Sequence, residues 1–141
     1  MKKLYSVLFL SLFLFASCGK NPYITPELTG TWGAFITEIT KIELVLDSDG
    51  GYSYKLIIYE TEGPGISDTV SEWHGHFGTF EITNDSIFLN AKKKAQWYKD
   101  FPFINSNYKD AKGRSPYAYK FQQSNLELTN SIRTLLMQKD E

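Results

Sequence analysis

Ile42-Glu43-Leu44-Val45-Leu46-Asp47-Ser48-Asp49-Gly50-Gly51-Tyr52-Ser53-Tyr54-Lys55-Leu56-Ile57-Ile58 is the stretch that decides the fold. Ile42, Leu44 and Leu46 alternate with Glu43 and Asp47. Successive side chains of a strand point to opposite faces, so this spacing reads as a half-buried β-strand. Asp49-Gly50 then supplies residues that tolerate the positive φ angles of a tight hairpin turn. On the returning strand Tyr52, Tyr54, Leu56 and Ile58 share one face, with Ser53 and Lys55 opposite.

The same grammar extends in both directions. Thr29 to Thr37 opens the domain, Glu62-Gly63-Pro64-Gly65 interrupts it, and the run from Asp68 to Thr83 contains Gly75 and Gly78. Glycines inside a strand mark a bulge or a barrel corner. Asn84-Asp85 turns the chain again into a short strand, Ser86 to Asn90. Tyr117, Tyr119 and Phe121 alternate on another, Leu126 and Leu128 follow, and the last strand is expected from Ile132 to Gln138. No segment has convincing helical periodicity, and no internal repeat is apparent. The expectation is an all-β fold, an antiparallel up-and-down meander barrel of about eight strands.

Upstream, Met1-Lys2-Lys3 is a short basic region, and Leu4 to Phe15 is a nearly continuous apolar run of twelve residues. About twenty are needed to cross a bilayer as a helix, so the run reads as an export signal rather than a retained span. It closes with Phe15-Ala16-Ser17-Cys18, which resembles the lipobox of bacterial lipoproteins. That resemblance implies cleavage before Cys18 and acylation of its thiol and new amino group, with palmitate-type chains each contributing about 0.8 kcal/mol per buried methylene. The expected division is a signal peptide over 1–17, a lipidated tether over 18–27 and the barrel over 28–141. Gly19 after the cysteine, rather than Asp, resembles lipoproteins passed on to the outer membrane, so the expected location is the cell envelope. Cys18 is the only cysteine, so no intramolecular disulfide can form and the core must supply the stability.

The chain has 15 basic and 16 acidic side chains, and losing Lys2 and Lys3 with the signal leaves 13 against 16, a net charge of −3. Such a balance argues against nucleic acid as a partner.

Leu28-Thr29-Gly30-Thr31-Trp32 sits at the start of the first strand. It resembles the Gly-x-Trp opening of lipocalins and of the lipocalin-like lipoproteins of Gram-negative bacteria. In that group the tryptophan plugs the closed end of the barrel and an arginine from near its end packs across the ring. The resemblance therefore implies a plug made by Trp32 and Arg133. Gly78-Thr79-Phe80-Glu81-Ile82 into Ile87-Phe88-Leu89, and Tyr119-Lys120-Phe121 into Leu126-Glu127-Leu128, are similar to the meander hairpins of the same group. The Thr-Asp-Tyr block and the C-terminal helix of strict lipocalins are lacking, which points to the wider lipocalin-like group.

For function, the most informative segment is Ala91 to Ser115. It lacks alternation and is longer than an ordinary structureless connection. Seven cations (Lys92, Lys93, Lys94, Lys99, Lys109, Lys112, Arg114) face only Asp100 and Asp110, a local charge of +5, so the rest of the mature chain carries −8. Trp97, Tyr98, Phe101, Phe103 and Tyr108 are interleaved with them. The segment reads either as a loop folded back on its own acidic barrel or as a lid over the open end. As a lid, Trp97, Phe101 and Phe103 would touch an apolar ligand and Lys92, Lys93 and Lys94 would attract its anionic group.

His74 and His76 lie two apart on a presumed strand and could begin a metal site, but a third ligand is missing, so no metal is assigned. Asp47-Ser48-Asp49-Gly50 has the look of a calcium loop, yet the twelfth position, where a carboxylate is required, is Ile58. There is no Gly-x-Ser-x-Gly elbow, phosphate loop, His-Glu-x-x-His helix or free thiol, so no catalytic residue and no cofactor is assigned and an enzyme is not expected. Two functions compete. One is a barrel binding a small apolar or amphipathic ligand at the membrane surface, lined by Tyr52, Tyr54, Leu56 and Ile58. The other is a filled barrel whose surface docks an envelope protein or glycan, as an inhibitor or accessory subunit would. A cavity of a few hundred Å³ distinguishes them.

Overall fold

The computed structural model describes residues 24–63, 65–102 and 106–140. The segment expected to be a signal peptide and Cys18 lie outside the described residues, as does Phe103. Eight strands follow one another: β1 (Gly30–Thr37), β2 (Thr40–Leu46), β3 (Gly51–Glu62), β4 (Gly65–Ile82), β5 (Ser86–Tyr98), β6 (Ser106–Gln122), β7 (Asn125–Thr129) and β8 (Thr134–Lys139). Each pairs antiparallel with the next, and β8 returns to β1, so the meander closes into an eight-stranded up-and-down barrel. There is no α-helix among the described residues.

Local chemistry explains the turns. After β2, Asp47 N donates to Gly51 O (2.8 Å), Gly50 N to Asp47 O (3.1 Å) and Gly51 N to the Asp49 carboxylate (2.8 Å). Gly50 takes φ +89°, which a side chain would resist. Its carbonyl accepts from Phe80 N (2.8 Å), tying this turn to β4.

Alternation then fills one end. Ile42, Leu44 and Leu46 on β2, Ile87 and Leu89 on β5, and Leu126, Leu128 and Met137 on the last hairpin point inward and are almost wholly buried. Trp32 lies among them, fully enclosed, with Nε1 donating to Leu28 O (2.9 Å) and Phe121 meeting its ring edge-on at 5.8 Å. Ile24 lies against the core, and a turn over 25–28 brings the Leu28 carbonyl to the tryptophan. The seam between β1 and β8 is short, with only Trp32↔Lys139 and Gly33↔Gln138 in register. It is reinforced by Asp140 N donating to Thr31 O (2.9 Å) and by Lys41 Nζ reaching Asp140 (2.9 Å). Burial pulls the Lys41 ammonium down, but its hydrogen bond and attraction to Asp140, with the nearby Tyr59 and Glu43, together outweigh this and leave it above its ordinary value.

Two expectations are corrected. Arg133 does not pack on Trp32: it lies in the turn before β8, and its Nη2 donates to Tyr54 Oη (2.7 Å) near the other end. The cation above the indole is Lys139, whose Nζ is 5.5 Å from the ring centroid. Strand pairing decides this, because Lys139 is the direct cross-strand neighbour of Trp32.

Ala91–Ser115 is likewise not a loop or a lid. Its two halves continue β5 and β6 as one long hairpin, and of the described residues only 99–102 lie outside the strands. Alternation is written into a strand when one face is buried and the other is wet. This hairpin rises above the filled core, where both faces meet solvent, so no periodicity marks it. Strand pairing is irregular between Phe77 and Gly78 and between Ala91 and Lys93, where Lys92 is the extra residue of a bulge. A Cβ on Gly78 would overlap the Asn90 carbonyl oxygen, so the glycine is what allows β4 and β5 to approach there.

Candidate functional site

Strand length makes the barrel lopsided. β1, β2, β7 and β8 have 8, 7, 5 and 6 residues, whereas β3, β4, β5 and β6 have 12, 18, 13 and 17. The four long strands therefore overtop the short ones at the end away from Trp32. On the concave face of this tall wall is a cavity of about 750 Å³, open to solvent.

Register assembles its lining. Tyr54, His76, Lys94 and Lys109 are successive cross-strand partners from β3 to β6, and Leu56, His74 and Gln96 form the next row outward. All seven line the cavity, together with Ala91, Ala111 and Ser115. At its floor, the Tyr54 ring stacks on His76 (centroids 4.7 Å, 13° between planes), and His76 Nδ1 lies 2.9 Å from Tyr52 Oη. Burial lowers the basicity of His76, so the ring is neutral around pH 7. Burial, reinforced by Tyr117, pushes the Tyr52 hydroxyl up to about 12, and burial also raises Tyr54 against the opposing pull of Arg133. The floor is thus uncharged and hydrogen-bonded. Lys94 and Lys109 continue the same row across β5 and β6.

Of the residues expected from sequence, Tyr54, Leu56 and Lys94 line the cavity. Tyr52 lies one row deeper, buried and joined to His76. Ile58 shares the face one row farther out, opposite Glu72, and is not part of the lining. Trp97 is on the outer face opposite Trp73, and Lys92 and Lys93 are exposed away from the cavity. Phe101 borders a smaller cavity of about 370 Å³ with Ser71, Glu72, Tyr98 and Asp100.

His74 and His76 face the same interior, with Glu72 3.9 Å from His74 and Tyr98 Oη 3.3 Å from its Nε2. No group of three metal-ligating side chains occurs among the described residues.

Gln96, Lys109 and Ser115 were not singled out from sequence. Only their register with β4 and β5 places them on the concave face. Cations that the charge count grouped together are also separated: Lys99 pairs with Glu60 (2.7 Å), and Arg114 pairs with Glu81 (3.2 Å) and lies over Phe88.

These features define a class, an eight-stranded antiparallel barrel plugged at one end and open at the other. No family model, curated protein or solved structure matches the chain.

Proposed function

We propose that this protein is a lipid-anchored envelope protein, resembling lipocalin-like lipoproteins, whose open barrel end takes up a small amphipathic molecule. The observation that carries the reading is the cavity of about 750 Å³, which falls within the roughly 300–1,000 Å³ of small-molecule sites. A completely filled barrel would have favoured docking alone. Leu56, Ala91 and the Tyr54 ring offer the apolar part of the lining, and Gln96, Ser115 and the lysines offer the polar part.

The anchor belongs to the same proposal and rests on the lipobox. The chain enters the barrel at the plugged end, where Leu28 packs against Trp32. Cys18 precedes Ile24 by six residues, a reach of about 20 Å. An acylated Cys18 therefore holds the plugged end near the bilayer and turns the mouth toward the aqueous side.

Native mass spectrometry of protein purified from its own envelope tests the ligand. A bound molecule of a few hundred daltons is expected; empty protein carrying a stable second polypeptide would overturn it. That outcome would favour a second reading, a docking module, which rests on Phe35, Ile36, Phe101 and Ile132 being exposed in three hairpins at the open end. Membrane partitioning of Cys18→Ser tests the anchor, which fails if the variant still sediments wholly with membranes.

A further inference from the structure

Lys94 and Lys109 stand directly opposite each other on β5 and β6, and both line the cavity. Facing residues of an antiparallel pair hold their Cβ atoms about 4.5–5.5 Å apart, and like charges in that position repel. Several cations elsewhere are paired, Lys55 with Glu43, Lys99 with Glu60, Arg114 with Glu81 and Lys120 with Glu127, whereas Lys92 and Lys93 have no ion pair among the described residues but do not line the cavity. Among the described residues, neither Lys94 nor Lys109 has an ion-pair partner. Asp110 lines the same cavity but makes no ion pair with either lysine among the described residues, Lys112 adds a third cation to the lining, and Glu72 lies beside His74.

We infer that Lys94 and Lys109 together seat the acidic group of the barrel's ligand, an amphipathic organic anion with a carboxylate or phosphate head. The inference rests on the cavity being a ligand site and specifies what enters it. An anion between the two ammonium groups converts their repulsion into two attractions, while Leu56, Ala91 and Tyr54 receive the body within the same cavity. Lysines act as mobile point charges rather than rigid forks, so the seat accepts a planar or a tetrahedral head. Selection then falls to the body of the ligand.

Binding of two fluorescent probes with related bodies, anionic 8-anilinonaphthalene-1-sulfonate and neutral N-phenyl-1-naphthylamine, tests the seat on the full-length protein. The anionic probe is expected to bind more tightly and to weaken as salt is raised. Lys94→Gln and Lys109→Gln should each weaken it about tenfold and leave the neutral probe unchanged. Lys94→Arg should keep the affinity.

Without ligand, Lys94→Gln should melt no lower than the parent, because a repulsion has been removed. Decanoate and decyl phosphate as competitors show which head is preferred. If both probes bind and the double glutamine variant binds the anionic one as well as the parent does, the seat is wrong and the cavity stands. If Lys94→Arg loses the anionic probe as Lys94→Gln does, the charge assignment is overturned. If neither probe binds the parent, the ligand-site reading falls and takes the seat with it.

Discussion

The plugged end, to which all eight strands contribute, and the tall wall, made by β3 to β6 alone, obey opposite rules. Below, each strand buries one face against Trp32, Leu44 and Met137, and its sequence alternates strictly. Above, β3 to β6 run past the short sheet of β7, β8, β1 and β2, lose a facing partner, and carry lysine, glutamine and histidine on the concave side. The difference teaches that the cavity does not arise by hollowing the core. It arises because half of the barrel is shorter than the other half, so a filled container is capped by a one-sided cup.

Truncation breaks this contrast most sharply. Trp32→Ala should cost about 3–5 kcal/mol, since it empties the plug and frees the Leu28 carbonyl. Leu56→Ala, on the half-buried wall, should cost about 1 kcal/mol. Chemical denaturation of both variants measures the gap, and equal losses would mean that the wall is as much core as the plug.

Gly78→Ala comes next. The new methyl overlaps the Asn90 carbonyl at the β4–β5 bulge, and the resulting shift should cost about 1–3 kcal/mol in the same assay. A neutral result would mean that the bulge relaxes freely.

Titration probes the floor between the two regions. His76 is held below its ordinary value of 6.5 by burial, so the unfolded chain binds more protons than the folded one just below that pH. Stability from this group is complete above 6.5 and declines as pH falls through the lowered folded value. Tyr52 does the reverse: its folded value near 12 against 10 unfolded means stability is lost as pH rises between them. His76→Gln should flatten the acid limb of the Tm profile attributable to this ring and leave the alkaline limb in place. An acid limb identical to that of the parent would remove His76 as its source.

The smallest expected change is Lys139→Gln, which removes the ammonium above Trp32 and its hydrogen bond to Glu27 O. It should cost about 0.5 kcal/mol, whereas Arg133→Gln should leave the tryptophan environment unchanged by near-ultraviolet dichroism.

Legibility followed burial. Ile42, Leu44, Leu46, Tyr52, Tyr54 and Leu56 announced both strand and face, and Asp49-Gly50 announced the turn. Lys109 and Gln96 announced neither, because wet surfaces on both sides impose no period, and the bulge at Lys92 breaks the local phase. His74 and His76 were visible as a pair on one face. Their work as aromatic and hydrogen-bonding floor with Tyr52, Tyr54 and Tyr98 depends on partners 20 or more residues away.

The sequence by itself determined an all-β meander of about eight strands and where its core-facing residues lie, because one-sided burial and positive-φ turns leave local marks. Only the tertiary structure decided how far β5 and β6 rise, that Lys139 rather than Arg133 covers Trp32, and that Lys94 and Lys109 are neighbours on one wall of a cavity. Each of those is a matter of register between distant strands. Hydrogen bonding of backbone to backbone sets register, and residue identity enters it only through the whole closed sheet.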